Sequence, residues 1–265
     1  MLLRGPYFPS RADSRMAKEE DLQAARNSYF TKRPGNLRFL LWKRYSWMNP
    51  YLQGKEKVVE VGCGAGFSKE FLTGCNPVLT DYKKFDWIDL EVDALNTPFE
   101  DASVDAVVSS HMIHHLAKPV RFFREMRRIL KPGGYLVISE VHNALITRAI
   151  SRVMRHEGWS YDIDVFDENL IATDPNDPWA GNIAIPQLLF GDSRRFEEKV
   201  PGFKVVRNER CECFIFPLSG GVTAKARTVN LPRFCLRAVD LVDGVLTRIM
   251  PNVFAMGMRV VLEKV

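Results

Sequence analysis

The run Glu60-Val61-Gly62-Cys63-Gly64-Ala65-Gly66 decides the fold of this chain. It comes directly after Lys57-Val-Val-Glu-Val61, whose apolar, β-branched content is typical of a short buried strand. Glycines at this point let the backbone turn sharply and let a ligand lie against it without Cβ clashes. The peptide N–H groups of such a turn point into a crevice and suit a carboxylate.

Outward from this run, predicted strands alternate with predicted helices. Further strands are predicted at 77–80, 87–90, 105–110, 135–139, 203–216 and 256–263. Helices are predicted at 20–33, 37–48, 67–74, 119–130, 143–155, 193–200 and 231–250, with 157–193 irregular. The pattern predicts an α/β fold, a Rossmann-like seven-stranded, mostly parallel sheet with helices on both faces. Such sheets bind ligands beyond the carboxyl ends of their strands, so Asp81, Asp93 and 109–111 should meet the glycine run there.

The glycine spacing separates two classes of ligand. A nicotinamide-binding loop normally reads Gly-x-Gly-x-x-Gly, which leaves room for a pyrophosphate. Here the spacing is Gly-x-Gly-x-Gly, and Glu60 stands two residues before the first glycine. A carboxylate opposes a phosphate but suits an ammonium group. A NAD(P)-dependent oxidoreductase is therefore the disfavoured alternative.

Three more features follow in a fixed order: Asp81 at a strand end, Asp93 in Asp-x4-Pro-Phe, and the turn Lys131-Pro-Gly-Gly134. With them, the segment Val58–Glu140 resembles the class I S-adenosylmethionine-dependent methyltransferases, especially the small-molecule and lipid enzymes of the ubiquinone-biosynthesis type. The resemblance implies S-adenosyl-L-methionine as cofactor. It implies methyl transfer, with oxygen the expected atom, to a small molecule, a lipid or a lipid-linked saccharide.

The resemblance also implies the cofactor-binding residues. Glu60 and the glycine loop hold the methionine end, Asp81 accepts from the ribose hydroxyls, and Asp93 accepts from the adenine amine. The segment after the fourth strand passes beneath the reactive methyl group. The full set is Glu60, Gly62, Cys63, Gly64, Gly66, Asp81, Tyr82, Asp93, Ala94, Ser110 and His111.

The catalytic candidates are groups able to take a proton from the acceptor. Histidine titrates near neutral pH and is the usual base. His111 after the fourth strand, with Glu140 and His142 after the fifth, should border the transfer site; packing or capping is the alternative role for each. Three histidines in 111–115 invite a metal site, but no matched carboxylate set accompanies them, so no metal is expected.

Residues 1–20 are rich in Arg, Pro and Ser and are expected to be disordered, and the resemblance makes 21–265 one methyltransferase domain. Within it we expect a helical cover at 21–56, the cofactor-binding core at 57–140, a substrate-side lid at 141–200, and the last strands with their inserted helix at 201–265. The lid includes 157–193, with eight acidic residues, no Lys or Arg, and an aromatic surface that includes Trp159 and Trp179.

Charge and composition bound the partners. The net charge of +5 divides into +7 for 1–57, −8 for 58–193 and +6 for 194–265. The basic ends either pair with the acidic middle or attract an anionic acceptor or membrane surface. The stretch 231–250 interleaves apolar residues with arginines, which suits peripheral membrane contact, packing on the domain, or a homodimer.

Other classes are disfavoured. Amino-methylating nucleic-acid enzymes that resemble this fold carry an Asn/Asp-Pro-Pro-Tyr/Phe run where this chain has Ser109-Ser-His-Met112, so a nucleic-acid substrate is not expected. No secretory signal or apolar run of about 18 residues occurs, and the five cysteines have no zinc spacing, which indicates a cytoplasmic enzyme. A methyltransferase-like binding protein without catalysis remains the second alternative.

Overall fold

The centre of the protein is one mixed sheet, seen in a computed structural model that describes residues 5–10, 19–222 and 226–265. Its strands are β1 (Val58–Val61), β2 (Val78–Asp81), β3 (Leu90–Glu91), β4 (Val104–Ser110), β5 (Leu130–Val141), β6 (Phe203–Cys211) and β7 (Gly257–Lys264). Their order is β3-β2-β1-β4-β5-β7-β6. The first five run parallel, and β7 lies antiparallel between β5 and β6. The expected seven-stranded, mostly parallel sheet is confirmed.

Helices cover both faces of the sheet. They are α1 (Glu19–Lys32), α2 (Gly35–Tyr45), α3 (Asn49–Leu52), α4 (Pro119–Ile129), α5 (Leu145–Met154), α6 (Ile185–Phe190), α7 (Ser193–Lys199), α8 (Ile215–Ser219), α9 (Arg233–Ile249) and α10 (Pro251–Phe254). Because successive side chains of a strand point to opposite faces, β1 sends Val59 and Val61 to one core and Val58 to the other. The first core includes α4, and the second includes α2.

Two predicted elements near the crevice differ from expectation. The helix predicted at 67–74 is a single 3-10 turn, Ser68–Glu70. The Asn49 side chain forms hydrogen bonds with the backbone groups that would continue the helix. Its Nδ2 donates to Phe71 O at 3.2 Å, and its Oδ1 accepts from Thr73 N at 2.9 Å. The third strand, predicted at 87–90, is β3 at Leu90–Glu91, because the exposed Asp89 carboxylate accepts from Leu79 N at 2.8 Å.

The sixth strand is also shorter than predicted. It was expected to reach residue 216 but ends at Cys211, where Glu212 adopts φ of 58°. The buried Asp243 of α9 then accepts from Cys213 N and Phe214 N, both at 2.9 Å, and from Ile215 N at 3.1 Å. These bonds begin α8 in place of a strand. The Lys-Pro-Gly-Gly turn likewise lies inside β5, where the pairing with β4 shifts register.

Two segments of the predicted domain map, 1–20 and 157–193, can be placed in part in the structure. Of the stretch 1–20, residues 1–4 and 11–18 lie outside the described residues, but Tyr7 N donates to Trp159 O at 2.9 Å and Trp159 N to Tyr7 O at 2.7 Å. Trp159 was expected on an aromatic surface but is fully buried under this segment. The region 157–193 is irregular only up to α6. None of the described residues forms a helix long and apolar enough to span a bilayer.

Candidate cofactor and acceptor site

The glycine run forms a tight loop after β1. Gly62, Gly64 and Gly66 have φ of 65°, 53° and 64°, a backbone region that favours glycine. A Cβ added at Gly64 would meet only Leu22 Cδ2, at 3.9 Å. The space over this glycine is therefore open to a ligand that approaches the backbone.

Neighbouring side chains hold the loop in place. Arg26 Nη1 donates to Ala65 O at 2.5 Å, and Trp87 Nε1 donates to Gly64 O at 2.8 Å. The amide of Gly64 donates to Asp81 Oδ2 at 2.8 Å. Helix α1, the segment before β3 and the end of β2 thus all position the same turn.

Asp81 stands at the end of β2 with one oxygen engaged. Its Oδ1 has only a long contact, 3.4 Å, from Lys83 N. Burial raises the pKa of this carboxyl, while the amides of Gly64, Lys83 and Tyr82 lower it. This Asp81 oxygen, in a largely buried position, can accept hydrogen bonds from a pair of hydroxyl groups, as expected for a ribose. Tyr82 is exposed beside it.

Glu60 lies behind the loop. Its side chain is fully buried; Oε2 accepts from the Ser68 hydroxyl, and Oε1 has no hydrogen-bond partner among the described residues. Burial raises the pKa of Glu60 to about 8, with Ser68 lowering it and Asp81 raising it. A buried carboxyl with an unpartnered oxygen is a suitable partner for a cationic group placed over the loop.

The expected adenine and methyl segments lie on the same side of the sheet. Asp93 forms a local turn, its Oδ1 accepting from Leu95 N at 2.8 Å, with Ala94 beside it. His111 has φ of 55°, and its amide donates to Ser139 O at 2.8 Å. Burial lowers the pKa of His111 well below its usual value, and Arg44 lowers it further, so the ring is neutral at physiological pH.

One cavity of about 650 Å³ joins these segments. Nine of the eleven expected cofactor-binding residues line it: Gly62, Cys63, Gly64, Asp81, Tyr82, Asp93, Ala94, Ser110 and His111. Glu60 and Gly66 do not. The position of Gly66 is taken by packing, because a Cβ there would meet Trp87 Cδ1 at 2.8 Å. Burial raises the pKa of the Cys63 thiol, so this residue fills space and is no nucleophile.

Two of the three catalytic candidates are not on the cavity wall. Glu140 is fully buried, accepting from Ile113 N at 2.6 Å and contacting His114 Nδ1 at 2.7 Å. Burial would raise its pKa, but His114 lowers it to about 2. His142 is buried with neither ring nitrogen partnered among the described residues, and its pKa falls to about 3 through burial, Arg210 and Arg148. Both were expected on the crevice side, and of the three only His111 lines it.

The far half of the cavity is lined by groups outside the eleven expected cofactor-binding residues. Arg44 and Tyr45 reach it from α2, and Trp179 reaches it from the lid. His114, His115 and Glu157 also line it, with one ligand-type atom of each within 4.8 Å of the others. Burial lowers the His114 pKa, but Glu140 and Glu157 raise it to about 10, whereas burial and His114 lower that of His115 to about 4.

Comparison with known proteins agrees with this geometry. Residues 59–138 match the methyltransferase domain family. A hybrid PKS-NRPS synthetase of Xenoacremonium sinensis is 32% identical over 117 residues, 40% of this chain and 3% of that protein. A demethylmenaquinone methyltransferase of Corynebacterium urealyticum is 32% identical over 116 residues, 40% of this chain and 50% of that protein. The chain thus spans half or less of these curated relatives.

A solved structure shares the fold. A SAM-dependent methyltransferase from Archaeoglobus fulgidus superposes with a TM-score of 0.51 at 19% identity, covering 86% of this chain and 94% of that one. The glycine loop at the switch in strand order, with acids at the next strand ends, defines a nucleoside-binding α/β domain. With the family match, the chain contains a class I S-adenosylmethionine-dependent methyltransferase domain, and S-adenosylmethionine is the cofactor of that domain.

The residues present fit this cofactor. The backbone over Gly64 is open, Asp81 keeps an oxygen for hydroxyl groups, and the unpartnered Glu60 oxygen lies behind the loop. The loop and the strand-end acids together would therefore hold the amino-acid and nucleoside parts.

Proposed function

We propose that the protein transfers a methyl group from S-adenosylmethionine to an oxygen atom of a small-molecule or lipid-type acceptor. The observation that carries the proposal is the continuity of the cavity. Its lining includes the glycine loop with Asp81, then His111, and a largely apolar chamber formed by α5 and the lid. A cofactor and an acceptor can therefore share one cavity.

The protein contributes to methyl transfer mainly by positioning the reactants. Bound S-adenosylmethionine supplies a methyl group already activated on a positively charged sulfur. The protein must exclude water and align the acceptor with that group. Trp179 and Pro178 of the lid, and Phe216 of α8, contribute apolar surface to the chamber wall.

The role of His111 is limited by its basicity. A group whose pKa lies well below neutral is an inefficient general base at pH 7, because base strength governs proton transfer. We infer that His111 accepts a hydrogen bond from the acceptor hydroxyl and orients it. Its constrained backbone, with positive φ and an amide bonded to β5, keeps the ring in place.

The chamber supports an acceptor with a substantial apolar part. Ile150 and Met154 of α5, with Pro175 and Trp179 of the lid, form apolar wall, while Asp174 and Glu157 are the acids there. Such a wall gives a polar polymer such as nucleic acid little to bind. A lipid or other partly apolar molecule with one polar end suits it better.

Helix α9 supports delivery of such an acceptor from an anionic membrane surface. Phe234, Leu241 and Val245 recur at helical spacing and are exposed, by 74%, 72% and 50%. Arg237 and Arg248 are exposed along one edge of this stripe. The two acids of α9 are engaged: Asp240 with Lys43, and Asp243 with the start of α8. This face therefore combines apolar and basic groups, as interfacial helices do.

Two alternatives are separated by direct assays. A binding protein without catalysis would bind S-adenosylmethionine but methylate nothing, and an oxidoreductase would bind NAD(P)H. The test is activity screening with radiolabelled S-adenosylmethionine over fractionated lipid and polar extracts. We expect label transfer to an extractable lipid or small molecule. Binding of cofactor without transfer in any fraction would contradict the proposal.

The His111→Asn variant sharpens this test. Asparagine tolerates positive φ better than most residues, so the backbone should be preserved. Turnover should fall by at least tenfold, while affinity for S-adenosylhomocysteine changes less than threefold. Unchanged turnover would reject the role of His111.

A further inference from the structure

We propose that His114, His115 and Glu157 form a binding site for one divalent transition-metal ion, open toward the acceptor chamber. The inference rests on the proposed function only for what the ion would contact, since the ligand set itself stands on geometry. His114 Nε2 lies 3.5 Å from Glu157 Oε1, and His115 Nε2 lies 3.7 Å from the same oxygen. The three ligand-type atoms lie within 4.8 Å of one another.

The two separations between Glu157 Oε1 and the histidine nitrogens are close to those of a tetrahedral site. With metal–ligand bonds of about 2.0–2.1 Å, ligand atoms in such a site stand roughly 3.3 Å apart. A contraction of a few tenths of an ångström brings Glu157 to that distance from each histidine. Two imidazoles and one carboxylate form a set typical of Zn²⁺ and related ions that keep a position for another ligand.

The second nitrogen of each ring is already held. His114 Nδ1 contacts Glu140 Oε2 at 2.7 Å, and His115 Nδ1 contacts Ala180 O at 3.2 Å. A carbonyl oxygen only accepts, so His115 Nδ1 carries the proton and its Nε2 presents a lone pair. Hydrogen bonds of this kind, to a carboxylate and to a backbone carbonyl, are those that orient histidine ligands around metals.

This arrangement also gives Glu140 a role. Its position away from the cavity wall fits a residue that orients His114 and fixes the 113–115 turn through Ile113 N. In the absence of a cation, the lone pair of His115 Nε2 and the oxygen of Glu157 face each other, and only a proton on His114 balances them. A bound ion would satisfy all three groups.

The location of the site indicates what its open position would bind. All three residues line the cavity that also contains His111 and Ser110. An ion there would hold a hydroxyl or carbonyl oxygen of the acceptor and lower the pKa of a hydroxyl. The acceptor class is therefore an oxygen ligand, a hydroxyl or a carbonyl, on a partly apolar molecule.

The test uses Zn²⁺ alone with the full chain purified metal-free. Isothermal titration should show one equivalent bound, and His115→Gln and Glu157→Gln should each weaken binding at least 100-fold. His156→Gln is the matched control: His156 neighbours Glu157 but is 38% exposed and reaches it only at 3.9 Å, so Zn²⁺ affinity should change less than threefold. Circular dichroism checks that each variant is folded.

Two outcomes overturn the inference. If wild-type protein binds no stoichiometric Zn²⁺, the cluster is an ion pair that holds only a proton. If both glutamine variants bind Zn²⁺ as tightly as wild type, the ion binds elsewhere. S-adenosylhomocysteine affinity is measured on the same samples. Cofactor binding and methyl transfer without Zn²⁺ binding would reject the metal site alone, whereas loss of cofactor binding would reject the proposed function.

Discussion

Glu60 shows how burial sets the chemistry of one residue in this site. Its carboxyl is buried beside Ser68, and its pKa of about 8 keeps it protonated at neutral pH without cofactor. In the unfolded chain the same group ionises near its ordinary pKa of about 4.5. Folding therefore takes up a proton between these values, and stability falls as pH rises from 4.5 to 8, after which the loss is complete.

Replacing Glu60 by glutamine removes this penalty. At pH 8 we expect the free energy of unfolding of Glu60→Gln to exceed that of wild type by on the order of 3 kcal/mol, so that the variant unfolds at a higher temperature. Near pH 4.5 the two proteins should unfold at the same temperature. Differential scanning fluorimetry across this pH range measures the difference. The same variant should bind S-adenosylmethionine more weakly. Equal unfolding temperatures at pH 8 would contradict the assignment.

Single residues also show the limits of sequence reasoning. Asp81 and Asp93 were predictable, because parallel strands bring their carboxyl ends to one edge and the motif order places both acids there. Glu140 and His142 lie at the end of β5, but neither lines the cavity: the Glu140 carboxylate contacts His114, and His142 is buried. Glu157 escaped prediction, because only the course of the lid brings it to His114.

At the scale of elements, the cover is tied to the sheet by one buried ion pair. Arg44 of α2 donates to Glu212 at the end of β6, Nη2 to Oε2 at 2.8 Å, and both side chains are almost fully buried. Burial would raise the pKa of Glu212, but Arg44 lowers it. Arg44 also lines the cavity, so this pair joins stability to the shape of the site.

Breaking this pair should be costly. Glu212→Gln leaves a buried guanidinium without its counter-ion, and we expect about 3–5 kcal/mol lower free energy of unfolding in urea titrations. The control is Glu168→Gln, whose pair with Arg124 is 58% exposed on both sides and should change stability by less than about 1 kcal/mol. A similar, small loss of free energy of unfolding in both variants would show that the buried pair does not stabilise the fold.

Helices and strands could be predicted from the sequence where the pattern of buried apolar residues is enough to specify them. β1, β4 and α4 have apolar patterns long enough to specify their type, and they formed as expected. The stretch 67–74 and the end of β6 were mispredicted, because the side chains of Asn49 and Asp243 capture backbone groups from distant segments. Secondary-structure propensity depends on residues nearby in the sequence and therefore does not reveal hydrogen bonds from distant side chains.

At the scale of the whole molecule, the exposed face of α9 predicts binding to anionic membranes. Wild-type protein should sediment with phosphatidylglycerol vesicles at low salt and less at 0.5 M salt, since charge attraction is screened. The triple variant Phe234→Ser, Leu241→Ser, Val245→Ser should lose most of this binding. Val229→Ser, which changes an exposed valine outside α9, is the control. Full binding by the triple variant, or a dimer that only this variant disrupts, would contradict the membrane role.

Binding of S-adenosylmethionine in the crevice after β1 is measured by titration calorimetry with the reaction product, S-adenosylhomocysteine. We predict saturable one-site binding, weakened by about 1–3 kcal/mol in Asp81→Ala because charge-assisted hydrogen bonds are lost, and unchanged in the exposed Glu91→Gln control. NADPH should give no binding signal. Absence of S-adenosylhomocysteine binding to folded wild-type protein, or saturable binding of NADPH in its place, would contradict the account.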